Sequence, residues 1–430
     1  MTAEIGILNK MGVALAADSA VTIGSEINQK VYNSANKLFS LSKYHPIGVM
    51  IYGGAEFMGV PWEIIIKSYR RKLNSSKFDT LKQYADDFIN FITSNELFYN
   101  KKIEEQLVVS IFHKSFTEIL SGAVTGKIND RLAQGAQVTN EEIEDFILFE
   151  LNNKIELLRI KNVTIDSPNF LESLTTEYHT KINKIISTTM LFEVSENLKA
   201  QAMLYTGLLI QSETFSDAFS GLVISGYGEK EIFPSLYEFH LEGIFLEKLK
   251  YIERPKITIG TINDEDHITS SMRPFAQKEM VHSFMNGIEP SLYDTFMNVV
   301  SLAFSKYFEE ITENMEIPSD IDLERVQKEH LETVMHSIHN TINSYQGKYF
   351  TGPIMDILDV LPKEELAAMA EALVNLTSFK RRVTMDAETV GGPIDVAVIT
   401  KGDGFVWIKR KHYFKPELNY QFFKNYLEEE

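Results

Sequence analysis

Strand-like segments fall in three separated blocks of this 430-residue chain, at its start, middle and end, and long helical runs fill the intervals. Residues 3–17 are apolar and broken only at Asn9-Lys10-Met11-Gly12, which reads as a hairpin turn, and residues 37–41 and 47–52 read as two more strands. Helical periodicity takes over from Phe57 to Leu73, with Pro61 near its start, and persists through residues 78–212, where Thr139 and Glu142 have capping-box spacing. Residues 221–228 and 235–245 read as a strand pair and 256–262 as another strand, before a second helical block over 273–344. A helix at 366–376 and a hairpin, 394–400 with 405–409, close the chain. A sheet drawn from such distant pieces implies one α+β core carrying helical insertions. The expected division is core at 1–77, 213–284 and 351–430, with insertions at 78–212 and 285–350.

Composition narrows the chemistry. Cysteine is absent, so disulfides, thiolate metal sites and thiol nucleophiles are excluded, and any nucleophile is oxygen or nitrogen. A formal charge of -18 disfavours nucleic acid and anionic membranes as partners. Lys67, Arg70, Arg71 and Lys72 form a local basic cluster that reads as a solvated helix face. No run of about 18 apolar residues and no secretory signal are expected, which points to the cytoplasm.

The first residues carry the sharpest chemical signal. Methionine before a small residue is ordinarily removed, which would leave Thr2 with a hydroxyl and a free α-amine on one residue. An α-amine with a pKa of about 7.7–8 is partly neutral near pH 7–8 and can take the proton of its own hydroxyl.

Thr2-Ala3-Glu4-Ile5-Gly6-Ile7, Gly12 through Asp18-Ser19, Asn36-Lys37-Leu38-Phe39 and Tyr52-Gly53-Gly54-Ala55 together resemble the N-terminal-nucleophile hydrolases, in particular proteasome β-type subunits and their bacterial relatives. Two further blocks, residues 220–246 with 270–276, and 361–407 with its Gly391-Gly392 pair, resemble later parts of the same subunits. The resemblance implies a four-layer αββα sandwich and an amide-cleaving threonine peptidase. Carried over, Thr2 is the nucleophile, Lys37 lowers its hydroxyl pKa, Asp18 orients Lys37, and the Gly53 amide donates to the oxyanion. Ser271, Asp386 and Thr389 match positions that hold the terminal amine, while Val21, Ile51 and Ala55 match an apolar substrate groove. The substrate is then a peptide or protein, the chain a homo-oligomer, and any ATP-driven unfolding the work of a separate ATPase, since no Walker A sequence is present. A catalytically silent scaffold or assembly subunit and a small-molecule amidase are the alternatives on the same fold.

Other constellations are weaker. His330, His336 and His339 with Glu329 and Glu332 lack HExxH spacing and read as a solvated helix face, so neither a metal nor a cofactor is expected. Gly226-Tyr227-Gly228 lacks a dinucleotide fingerprint's third glycine, and no G-x-S-x-G elbow supports a serine triad.

Overall fold

The fold is taken from a computed structural model, which describes residues 2–23, 30–260, 268–313, 322–384 and 390–428. It divides into two units, residues 1–38, 232–235 and 257–430 in the first and 39–231 with 236–256 in the second. Both combine antiparallel strands with helices, so the class is α+β.

In the first unit five antiparallel strands run in the order Ser270–Ala276, Ala3–Asn9, Gly12–Ala17, Asp395–Thr400, Gly404–Lys409. The first hairpin closes where Asn9 pairs with Gly12. Asn9 accepts from the Met11 amide at 2.8 Å through Oδ1, and its Nδ2 donates to the carbonyls of Leu358 and Leu361, each at 2.8 Å. One buried amide thus shapes a turn and caps the Gly352–Val360 helix. Period-two alternation puts Ala3, Ile5 and Ile7 on one face, where with Ala14, Ala16, Val396 and Val398 they pack against Leu366, Ala367, Ala370 and Leu373 of the Lys363–Val383 helix. The alanines on both sides let the helix lie close. Thr2, Glu4, Gly6 and Leu8 belong to the opposite face.

The second unit's sheet follows the order Lys248–Glu253, Ser235–Phe245, Ser220–Gly226, Ile47–Gly53, Leu38–Ser40. The Trp62–Leu73 and Leu81–Ser94 helices cover one face through Trp62, Ile65, Tyr69, Tyr84 and Phe88. Helices Lys101–Ile119, Asn140–Arg159, Phe170–Thr189 and Glu196–Gln211 enclose a separate core. Within it Glu104 is fully buried, and accepts from Tyr99 at 2.5 Å, Tyr178 at 2.7 Å and the Leu246 amide at 2.9 Å. Burial, then the Glu104 hydrogen bond, pushes both tyrosine hydroxyl pKa values up.

Three expectations change. Residues 270–276, expected to turn into a helix, form a strand paired with Ala3–Asn9, and Pro274 is tolerated because this strand lies at the sheet edge. The strand expected at 256–262 covers only Ile257–Thr258 among the described residues, while Lys248–Glu253 supplies an unanticipated strand. The helical run Lys101–Ala133 is long and apolar enough by composition to cross a membrane, contrary to the expectation that no such stretch exists. Its Val108, Ile111, Phe112, Phe116 and Ile119 are spent on the second unit's core.

Lys250 and Glu242, each about 1 % exposed, form an ion pair at 2.6 Å. The ammonium also donates to the carbonyls of Leu209 and Thr214, and Glu242 accepts from the Ser216 amide at 2.6 Å. Burial pushes the Lys250 pKa down, with Glu242 pulling the other way. Lys250→Met strands a buried carboxylate and should lower unfolding free energy by about 3–5 kcal/mol. Urea denaturation of K250M, and of K250M with Glu242→Leu, which should recover part of the loss, checks this.

Candidate active site

The hairpin brings the start of one strand beside the end of the next, because Glu4 pairs with Ala17. Asp18 therefore lies next to Thr2 and Ala3, and its amide donates to the Ala3 carbonyl at 3.1 Å. The Asp18 side chain is completely buried, and its Oδ1 accepts from the Ala3 amide at 3.2 Å and from Lys37 Nζ at 2.6 Å. Its Oδ2 accepts from the amides of Ala20 at 3.2 Å and Gly391 at 3.0 Å. Lys37, just before the Leu38–Ser40 strand, is 6 % exposed, and its Nζ donates to Thr2 Oγ1 at 2.9 Å. A buried ammonium is thus compensated by one carboxylate and aimed at one hydroxyl.

Thr2 is itself buried, and its carbonyl accepts from the Gln277 amide at 3.1 Å. Gln277 Oε1 in turn accepts from Arg381 Nε at 2.8 Å, which ties the end of the Lys363–Val383 helix to the start of the chain. The glycine pair is held by Ser19, whose amide donates to the Gly391 carbonyl at 3.1 Å and whose hydroxyl donates to Pro393. Gly392 has φ +78°, and a Cβ there would lie 2.7 Å from Asn33 Cβ, so both conformation and space require glycine. Lys411 pairs with Asp395 nearby. Burial pushes the Lys411 pKa down, Asp395 opposes this, and the charge of Lys37 adds to the depression.

Of the residues expected in the site, Thr2, Asp18 and Lys37 come together. Ser271 does not. It stands opposite Leu8, six residues from Thr2 along the strand, or roughly 20 Å at about 3.3 Å per residue. The expected hydrogen bond to the Thr2 amine is therefore corrected, and Gln277 is the neighbour that the flanking segment supplies. Asp386 and Thr389 lie outside the described residues. Gly53 ends a strand of the second unit, where it pairs with Ser220 and is exposed, with φ +77°. A Cβ at Gly53 would lie 2.5 Å from the Phe219 carbonyl oxygen. Ile51 and Ala55 flank it in the second unit, whereas Val21 is half-buried in the first.

Gln277, Ser19 and Gly391 entered through backbone hydrogen bonds, and Arg381 through the Gln277 side chain, which residue types do not announce. Glu4 carried a visible signal, being the one charge in the apolar run Ala3–Leu8. It is fully buried, and among the described residues neither carboxyl oxygen has a hydrogen-bond partner.

A cavity of about 880 Å³ in the second unit lies between the Lys101–Ile119, Asn140–Arg159 and Glu196–Gln211 helices and segment 214–218, and none of the expected site residues lines it. Among the described residues no group of three His, Asp or Glu is placed to hold a metal. Both His339 ring nitrogens are engaged, by Tyr293 at 2.7 Å and Asn343 at 2.8 Å.

No protein-family model matches this sequence, and no curated protein does. Among solved structures the chain has a faint similarity to Anbu (ancestral beta-subunit) from Yersinia bercovieri, at 9% sequence identity and a TM-score of 0.25, over 99% of this chain and 94% of that one.

Asp18→Asn places an amide NH₂ against two of the four donors that converge on the carboxylate and leaves the Lys37 charge uncompensated. A loss of about 3–5 kcal/mol is expected, read as a lower urea midpoint with an unchanged denaturant slope.

Proposed function

We propose that this chain is an N-terminal-nucleophile amidohydrolase, a threonine peptidase of proteasome type, with Thr2 as the attacking residue. The observation that carries the reading is the Lys37 ammonium, 2.9 Å from Thr2 Oγ1 and 2.6 Å from Asp18. A fixed positive charge beside a hydroxyl favours its alkoxide and lowers the hydroxyl's pKa.

The mechanism requires that Thr2 be freed of whatever precedes it. Its amine, directly or through a water, then takes the hydroxyl proton as Oγ1 attacks the carbonyl carbon of an amide. Lys37 remains protonated and stabilises the negative charge that develops on Oγ1. The oxyanion needs donors of its own, and the Gly53 amide is proposed for that role. Collapse of the tetrahedral intermediate passes the proton from the Thr2 ammonium to the leaving amine. Water then resolves the acyl ester by the same steps in reverse order. Asp386 and Thr389 are proposed to hold the amine, and Val21, Ile51 and Ala55 to favour an apolar residue on the acyl side.

A peptide or protein substrate, self-association, a cytoplasmic setting and the four-layer stack belong to this same proposal. The insertions at 78–212 and 285–350 would then be additions to the hydrolase core.

Two measurements test it. Intact mass of the purified protein should correspond to a chain starting at Thr2, and hydrolysis of small fluorogenic peptides should fall at least 10³-fold in Thr2→Ala, on the order expected for removing a nucleophile. A retained methionine would block the amine and favour a silent scaffold. Turnover of small amides without peptides would favour the amidase alternative, and unchanged turnover in T2A would reject Thr2 as nucleophile.

A further inference from the structure

Glu4 has no part in that mechanism, yet the charges of both Lys37 and Asp18 act on it. Thr2 and Glu4 are two residues apart on one strand, so their side chains leave the same face. The Glu4 side chain is withdrawn from water, and neither oxygen meets a hydrogen-bond donor among the described residues. Directly across from it stand Ala17 on one neighbouring strand and Phe275 on the other, and neither can donate from its side chain. The charges acting on it are Lys37, which favours ionisation, and Asp18, which opposes it. Arg273, across from Gly6, is the cation of the flanking strand.

The Lys37 ammonium is already committed to Asp18 and Thr2. A second carboxylate at Glu4 would be buried without a partner, a state far costlier than keeping the proton. Burial accordingly pushes the Glu4 pKa well above the usual carboxylate range, with Lys37 only partly offsetting it and Asp18 adding to the rise.

We propose that Glu4 is a positioning residue: as an uncharged acid it leaves Lys37 to Asp18 and Thr2, and as a carboxylate it draws Lys37 away from the Thr2 hydroxyl and stops hydrolysis. This rests on the threonine-hydrolase reading and adds to it a built-in upper pH limit. The proton that leaves Glu4 goes to solvent, no covalent bond between heavy atoms changes, and the reversal is complete on acidification.

The linkage has a definite sign. Folding keeps a proton that the unfolded chain releases in the ordinary carboxylate range, so stability falls as pH rises from that range towards the raised Glu4 value. Glu4→Gln keeps the shape and removes the titration.

Infrared spectroscopy and a pH–rate profile on the full chain test the proposal together. A protonated-carboxyl band should persist in the wild type above the ordinary carboxylate range, be absent in E4Q, and disappear in the wild type over the same pH range in which hydrolysis falls. In E4Q the high-pH limb should move to higher pH, and the fall in stability between the ordinary carboxylate range and the raised Glu4 value should flatten. Lys37→Met should move the loss of the band to higher pH, a readout that needs no activity. A missing band, a band insensitive to Lys37, or superimposable wild-type and E4Q rate profiles would each overturn the proposal. No hydrolysis by the wild type, with the Lys37-sensitive band intact, would overturn the hydrolase reading and with it the catalytic consequence, while leaving the buried acid in place.

Discussion

The carboxylate of Asp18 is the point at which the first unit is tied together. It receives hydrogen bonds from the amides of Ala3, Ala20 and Gly391 and from the Lys37 ammonium, four donors from four stretches of chain. A buried anion is tolerated only when its lone pairs are filled, and here the filling is done by the segments whose positions matter most. The direction of Lys37, the start of the first strand and the Gly391-Gly392 turn all follow from one charge. Sheet register keeps this group fixed, since a slip of one residue would turn Thr2 and Glu4 towards the Lys363–Val383 helix.

Much of the first unit was legible in the residues. The apolar hairpin broken at Asn9-Gly12 and the closing hairpin around Lys401–Gly404 follow from local pattern, while the grouping of Thr2, Asp18 and Lys37 was expected only from the family resemblance. The helix expected at 366–376 is present but extends over Lys363–Val383. In the second unit the Thr139–Glu142 capping box is formed as its spacing suggests. These features depend on neighbours in sequence.

What was not legible depends on partners far away. The strand Ser270–Ala276 holds a proline and two serines, and only its place at a sheet edge makes it a strand. The strand Lys248–Glu253 was missed because the turn before it has no glycine or asparagine. Leu246 and Glu247 both adopt positive φ, at 48° and 62°, a conformation that two-residue hairpin turns require. Glu104, more than a hundred residues earlier, binds the Leu246 amide and supplies the support that the local sequence lacks. Ser271 failed for a related reason, since its chemistry suited the proposed role while its register placed it opposite Leu8.

The amide of Gly391 reaches back across 373 positions to Asp18. A nascent chain emerging from the ribosome would carry Thr2, Asp18 and Lys37 long before this last donor was synthesised. Until then the anion would lack one of its ligands, and the adjoining strand Asp395–Thr400 would leave an open sheet edge. Completion of the Asp18 pocket therefore waits for a segment made 373 positions after the carboxylate it serves.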